Sequence, residues 1–301
     1  MKMTLMQVYT AAGVELRSEA LRLARKRLKA LGFGVELDPS VKLRHQRFAG
    51  NDEERLATLV RVADAAPSIA MACRGGYGMT RLLDGIHWKR IARSVERGTR
   101  WVGFSDITAL QMGLLAHTGV GSWAGPMACD DFGRADADGG VDEVTRDCFV
   151  EAMSGALHAV GFRTEAGFDG LHVRGVLWGG NLAMLCSMLG TSHFPRVKGG
   201  ILFVEDVNEH PYRVERSLLQ LQQAGVLSTQ KAVLLGAVTD YRKSPLDRGY
   251  TLKSAVEHLR ATSRTPLLTG LPFGHVSTKV SFPLGQRVEL AVQGRDVFVG
   301  W

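Results

Sequence analysis

Residues 100–111 read RWVGFSDITALQ, and the fold follows from how this stretch divides. Trp101, Val102 and Phe104 form an apolar run of strand type, while ITALQMGLLAH, from Ile107 onward, has the character of a buried helix. Ser105 stands at the corner between them, with Asp106 behind it. A serine ahead of a helix ordinarily serves as an N-cap. A serine on a strand-to-helix corner can also be a nucleophile held clear of both elements, although GFSDI lacks the second glycine of the GxSxG elbow. The motif alone leaves both readings open.

The same alternation extends outward from this corner. MQVYTA, GVEL and SIAMACR read as strands, and SEALRLARKRLKALGF and NDEERLATLVRVADAA as amphipathic helices, the second opening on residues that suit a helix N-terminus. A glycine-rich corner, RGGYG, leads into MTRLLDGI, read as helical, and GSWAGPM follows the central helix. Strands alternating with helices predict a mainly parallel sheet covered on both faces. Past the helix-like TRDCFVEAMSG the pattern weakens. The expected organisation is an N-terminal α/β domain over 1–160, a linker over 161–174 and a smaller, β-rich α/β domain over 175–301. In the latter, RGVLWGGNLAMLCSMLG, GGILFVED, YRVERSLLQLQQAGVL and KAVLLGAV continue the alternation. After the loop TDYRKSPLDRGYT, the chain ends in SFPLGQRVELAVQGRDVFVGW, which reads as antiparallel hairpins.

The bulk properties narrow the function. The 301 residues are 45% hydrophobic and 22% charged, a composition that builds a core and argues against disorder. No stretch approaches the ~18 consecutive apolar residues of a membrane span. MKMTLMQVYTAAG is too short in its apolar run for a secretory signal, so the expectation is a cytoplasmic protein. Cys73, Cys129, Cys148 and Cys186 form no CxxC pair and no metal-like spacing with histidine; they are expected to be reduced, buried thiols, with no cofactor and no metal. The net charge of +7 is spread along the chain, its densest run being the wet face of one helix. Neither nucleic acid nor membrane is therefore expected as a partner.

Four stretches each end a predicted strand: RGGYG (74–78), GFSD (103–106), FVEDVNEHPYR (203–213) and LPFGH (271–275). In open α/β sheets, sites gather at the carboxyl ends of strands. A serine, a carboxylate and a histidine are thereby available on separate loops. Serine needs a base with a near-neutral pKa, the base needs an acceptor on its other nitrogen, and the oxyanion needs backbone N–H donors. Glu205 or Asp206 could be the acceptor, and the RGGYG glycines and the Asp106 N–H suit the donors. His275 competes with His45, His87, His117, His158, His172, His193, His210 and His258, and Cys73 competes with Ser105.

Taken in order, RGGYG, GFSDITAL, GPM (125–127), GGNLAML (179–185), FVEDVNEHPYRVER (203–216), GH (274–275) and PLG (283–285) resemble the LD-carboxypeptidase family of serine peptidases. That family includes murein tetrapeptide carboxypeptidases and microcin C self-immunity proteins. The resemblance implies a Ser–Glu–His triad on Ser105, Glu205 and His275, and oxyanion donors at Gly76 and Asp106. It further implies a two-domain fold with the site in the cleft, a cytoplasmic homodimer, and a murein peptide substrate cleaved before a terminal D-Ala during peptidoglycan recycling. Hydrolysis of peptidyl-nucleotide antibiotics and non-catalytic binding of murein peptides are the alternatives. Arg74, Tyr77 and Arg213 lie near the motifs and are candidates for substrate binding. The chain departs from the family at YTAAG, where APSS is usual, and at Ala124, where histidine often precedes GPM.

Overall fold

A computed structural model describes residues 4–301. In chain order its first half contains β1 (Thr4–Tyr9), α1 (Ser18–Ala30), β2 (Phe33–Leu37), α2 (Asp52–Ala65) and β3 (Ile69–Ala72). There follow α3 (Trp88–Glu96), β4 (Arg100–Gly103), α4 (Thr108–Thr118), β5 (Ser122–Ala124) and α5 (Glu143–Ser154). The five strands pair in parallel in the order β2-β1-β3-β4-β5. All of β3 is buried, as a strand covered by helices on both faces must be. Helix α1 turns Ala20, Ala24 and Leu28 inward and leaves Arg22, Arg25, Lys26 and Lys29 exposed, while Arg27 donates to the Phe132 carbonyl. Asn51 and Glu54 close a reciprocal capping box at the start of α2, each side chain accepting the other's backbone N–H at 2.8 Å.

The second half contains β6 (Ala159–Arg163), β7 (His172–Asn181), α6 (Leu182–Met188), β8 (Ile201–Val207), α7 (Pro211–Gln223), β9 (Ala232–Thr239) and α8 (Leu252–Thr262). Four strands complete it: β10 (Leu267–Thr269), β11 (Phe282–Leu284), β12 (Arg287–Gln293) and β13 (Asp296–Gly300). The second sheet runs β10-β9-β8-β7-β12-β13-β6. It is parallel from β10 to β7 and antiparallel from β7 to β6. The fold is therefore α/β, with one mainly parallel sheet and a second sheet that is half antiparallel.

Three stretches differ in detail from the sequence reading. MTRLLDGI forms only two short 3₁₀ turns, Met79–Arg81 and Leu83–Gly85, because Gly78 and Gly85 bracket too few residues and the Met79 N–H is drawn to Asp106. Residues 161–174 carry the end of β6 and the start of β7, whose alternately exposed residues gave a weak apolar signal. The terminal strands form one hairpin, β12–β13, while β11 leaves it and pairs antiparallel with β5, adding a sixth strand to the first sheet. This crossing is sealed by Phe203, Phe273 and Phe282, whose ring centroids lie 5.0–5.5 Å apart, with Phe104 5.9 Å from Phe273. The aromatic cluster joins the two sheets immediately behind Ser105.

Candidate active site

Ser105 sits at the carboxyl end of β4 with φ +62°, the left-handed region that a residue with a Cβ seldom occupies. The corner is tight because Gly103 and Gly75 leave room on either side. A Cβ on Gly75 would stand 2.9 Å from both Cβ and Oγ of Ser105. The N-cap position of the 3₁₀ turn Ser105–Ile107 falls on Phe104, so the Ser105 hydroxyl is not the cap. It lies instead 3.1 Å from His275 Nε2.

His275 follows Gly274 on the loop between β10 and β11. Gly274 has φ +130°, and a Cβ there would press on Glu205 at 3.1 Å, so the backbone can approach the carboxylate only without a side chain. His275 Nδ1 is 2.9 Å from Glu205 Oε2. An ionised carboxylate only accepts, so Nδ1 carries the proton and the Nε2 lone pair faces the serine hydroxyl. The Glu205 side chain is fully buried, whereas 24% of the His275 side chain is exposed. Burial opposes a charge on His275, but the hydrogen bond and negative charge of Glu205 outweigh it and hold the imidazole above its ordinary pKa.

Glu205 reaches this position through a register shift between Val204 and Asp206 against β9. Its neighbour Asp206 turns away. There it accepts from Asn181 Nδ2 at 3.1 Å and from the Ala183 N–H at 3.0 Å, holding the first turn of α6. Burial pushes the Asp206 carboxyl up to about 6. The two acids that the sequence left equivalent thus have separate partners.

The RGGYG turn borders the serine. Gly76 has φ +81°, and neither its N–H nor that of Asp106 has a backbone acceptor among the described residues. The Asp106 carboxylate accepts the Met79 N–H at 2.8 Å, tying the turn to the serine corner, and burial raises its pKa to about 6. Arg74 donates to the Val14 carbonyl at 3.0 Å. Tyr77 is exposed beside Phe48, with the Arg47 guanidinium 5.5 Å from its ring. Arg213 is engaged by Glu209 on the exposed start of α7. No helix among the described residues is long and apolar enough to cross a membrane.

Cys73 is fully buried, its Sγ 3.1 Å from that of Cys129. With Glu15 these thiols place three potential ligand atoms within 4.8 Å of one another. Glu15 is already spent on Arg17, however, and the neighbouring thiol and burial hold Cys129 strongly protonated. The cluster is a packed structural contact, as buried thiols usually are.

Sequence reasoning missed several supports. Thr108 Oγ1, on the helix that follows Ser105, accepts the Asn181 N–H at 3.0 Å and docks the second sheet onto α4. Phe104 packs against the His275 ring at 4.9 Å. Lys279 and Asp131 form a buried ion pair behind it. Only the glycines of GGN carried a signal for the first: a Cβ on Gly180 would collide with Thr108 Oγ1 at 2.4 Å.

Comparison with known proteins extends over the whole site. Residues 7–125 match the family model of the LD-carboxypeptidase N-terminal domain, and residues 174–290 that of the C-terminal domain. The murein tetrapeptide carboxypeptidase of Pseudomonas aeruginosa is 31% identical over 91% of this chain and 89% of its own. The probable murein peptide carboxypeptidase of Bacillus subtilis is 30% identical over 87% of this chain and 81% of its own. The crystal structure of muramoyltetrapeptide carboxypeptidase from Oxalobacter formigenes superposes with a TM-score of 0.89 at 38% identity, covering 99% of each chain. A microcin C7 self-immunity protein shares the fold, with a TM-score of 0.85 at 19% identity over 99% of this chain and 96% of its own. With both of its domain models matched in order along one chain, the protein belongs to the LD-carboxypeptidase family of peptidases.

Proposed function

We propose that the protein is a serine LD-carboxypeptidase that releases the terminal D-Ala from murein tetrapeptide, cutting between the L-centre of the diamino acid and D-Ala. The observation that carries this reading is the hydrogen-bonded chain from Ser105 Oγ to His275 Nε2 and from His275 Nδ1 to Glu205 Oε2. Ser105 Oγ attacks the scissile carbonyl carbon while His275 Nε2 takes its proton. Glu205 holds the imidazole in the required tautomer and stabilises the cation that forms. The oxyanion is received by the N–H groups of Gly76 and Asp106. As the tetrahedral adduct collapses, His275 returns the proton to the departing D-Ala amine. Water, activated by the same histidine, then hydrolyses the acyl-enzyme. The names of the Pseudomonas and Oxalobacter relatives support the substrate.

The test follows D-Ala release from purified murein tetrapeptide by mass spectrometry, for wild type, Ser105→Ala and Cys73→Ala. Release by wild type and Cys73→Ala but not by Ser105→Ala is expected. An inert, folded wild type would overturn the substrate assignment and direct the search to peptidyl-nucleotides. Loss of activity in Cys73→Ala alone would overturn the nucleophile.

A further inference from the structure

Lys279 and Asp131 form an ion pair in which the side chains are only 2% and 3% exposed, at the back of the active site. Such a pair is costly to bury and contributes little net stability compared with two apolar residues. Nor is it needed to moor the segment that follows His275. Thr145 Oγ1 already donates to the Ser277 carbonyl at 2.8 Å and accepts the Lys279 N–H at 2.8 Å, and Thr278 Oγ1 reaches Asp142 at 2.8 Å. The placement of the ammonium is more informative. Lys279 Nζ donates to the carbonyl of Val276, next to His275, at 2.7 Å. It lies 5.1 Å from the centroid of the Phe104 ring, whose neighbour across the site is the His275 ring.

We propose that Lys279, fixed by Asp131, is a positioning residue that acts on His275 as a buried cation behind Phe104. This inference rests on the reading of Ser105, His275 and Glu205 given above. The charged groups around His275 are Glu205 from β8, Asp130 from the turn after GPM, itself paired with Arg17, and Lys279 from its own loop, paired with Asp131. Three are anions. An imidazolium cannot accept the Ser105 proton, so their charge works against the base. Lys279 is the cation that opposes them, and its charge acts to lower the proton affinity of His275. Burial makes it effective, because neither water nor salt screens it fully.

The experiment compares wild type, Lys279→Met/Asp131→Asn and Asp131→Asn. In the double variant the pair is neutral. The carboxamide that replaces the Asp131 carboxylate still offers an acceptor to the Met127 N–H, which Asp131 Oδ2 accepts at 2.8 Å. The His275 titration midpoint is read by histidine NMR on the resting protein, assigned with His275→Gln, and beside it the acid limb of kcat/KM on murein tetrapeptide. The double variant should shift the midpoint upward by roughly half a pH unit or more, with the acid limb moving alongside it. Asp131→Asn, which keeps the cation and removes an anion, should move it downward. Coincident midpoints in wild type and the double variant, with only a lower plateau of activity, would reduce Lys279 to a structural role and overturn the proposal. If the double variant does not fold, the single variant decides, since an unmoved or raised midpoint there also overturns it. The NMR midpoint needs no substrate, so an inert wild type would defeat the murein assignment while the effect of Lys279 on His275 is still read.

Discussion

Glu205 and Asp206 are adjacent in β8 yet serve different structures: Glu205 accepts a hydrogen bond from His275 Nδ1–H, while Asp206 accepts from the Asn181 amide and the Ala183 N–H in the first turn of α6. Substituting them should therefore separate catalysis from stability. Glu205→Gln should lower kcat by about 10³–10⁴-fold, because a side-chain amide can donate to Nδ1 and favour the wrong tautomer. Asp206→Ala should leave most of kcat but cost about 1–3 kcal/mol of stability, since buried donors lose their acceptor. Steady-state kinetics and urea unfolding on the two variants check this.

The His275 pKa is raised, and the direction fixes the pH dependence. In the proposed mechanism the base works neutral, so the acid limb of kcat/KM should lie above the ~6.5 of an ordinary histidine. Folding follows the same shift. A group that binds its proton more tightly when folded contributes stability that is fully present below ~6.5 and lost as pH rises through the folded value. Unfolding of wild type and His275→Gln on both sides of the limb should show that this contribution disappears with the imidazole.

Gly75 lies against the serine, where a Cβ would be 2.9 Å from Ser105 Oγ. Gly75→Ala should reduce kcat by about 10–100-fold through displacement of the hydroxyl, with a much smaller change in thermal midpoint. Kinetics beside a thermal melt measures both.

Phe273 packs among Phe104, Phe203 and Phe282 where the two sheets meet, and it is fully buried. Phe273→Ala should cost about 3–5 kcal/mol in chemical denaturation. Activity should fall further than the unfolded fraction explains, because the same ring supports Phe104 behind Ser105 and His275.

Most elements of the first half, the parallel first sheet and the Ser105 corner could be read from RWVGFSDITALQ and its flanks, because local period and capping chemistry are short-range properties, whereas α3, β6 and α8 emerge only in the structure. Asn51 and Glu54 form the capping box that their spacing allows, and α1 buries the apolar face that its period describes. The ordered motifs brought Ser105, Glu205 and His275 forward as candidates through resemblance, not through spacing.

What only the tertiary structure decided are contacts between residues far apart in the chain. β11 leaves its expected hairpin for the edge of the first sheet because an unpaired β5 backbone is available there. Glu205 meets His275 and Asp206 does not, because a register shift in β8 and the bare backbone of Gly274 admit one carboxylate to the site. Lys279 pairs with Asp131 across 148 residues of sequence, and no local pattern records it. The sequence by itself determined most of the elements and the chemical types. Packing determined which of them touch, since proximity across a fold depends on how every intervening element is buried.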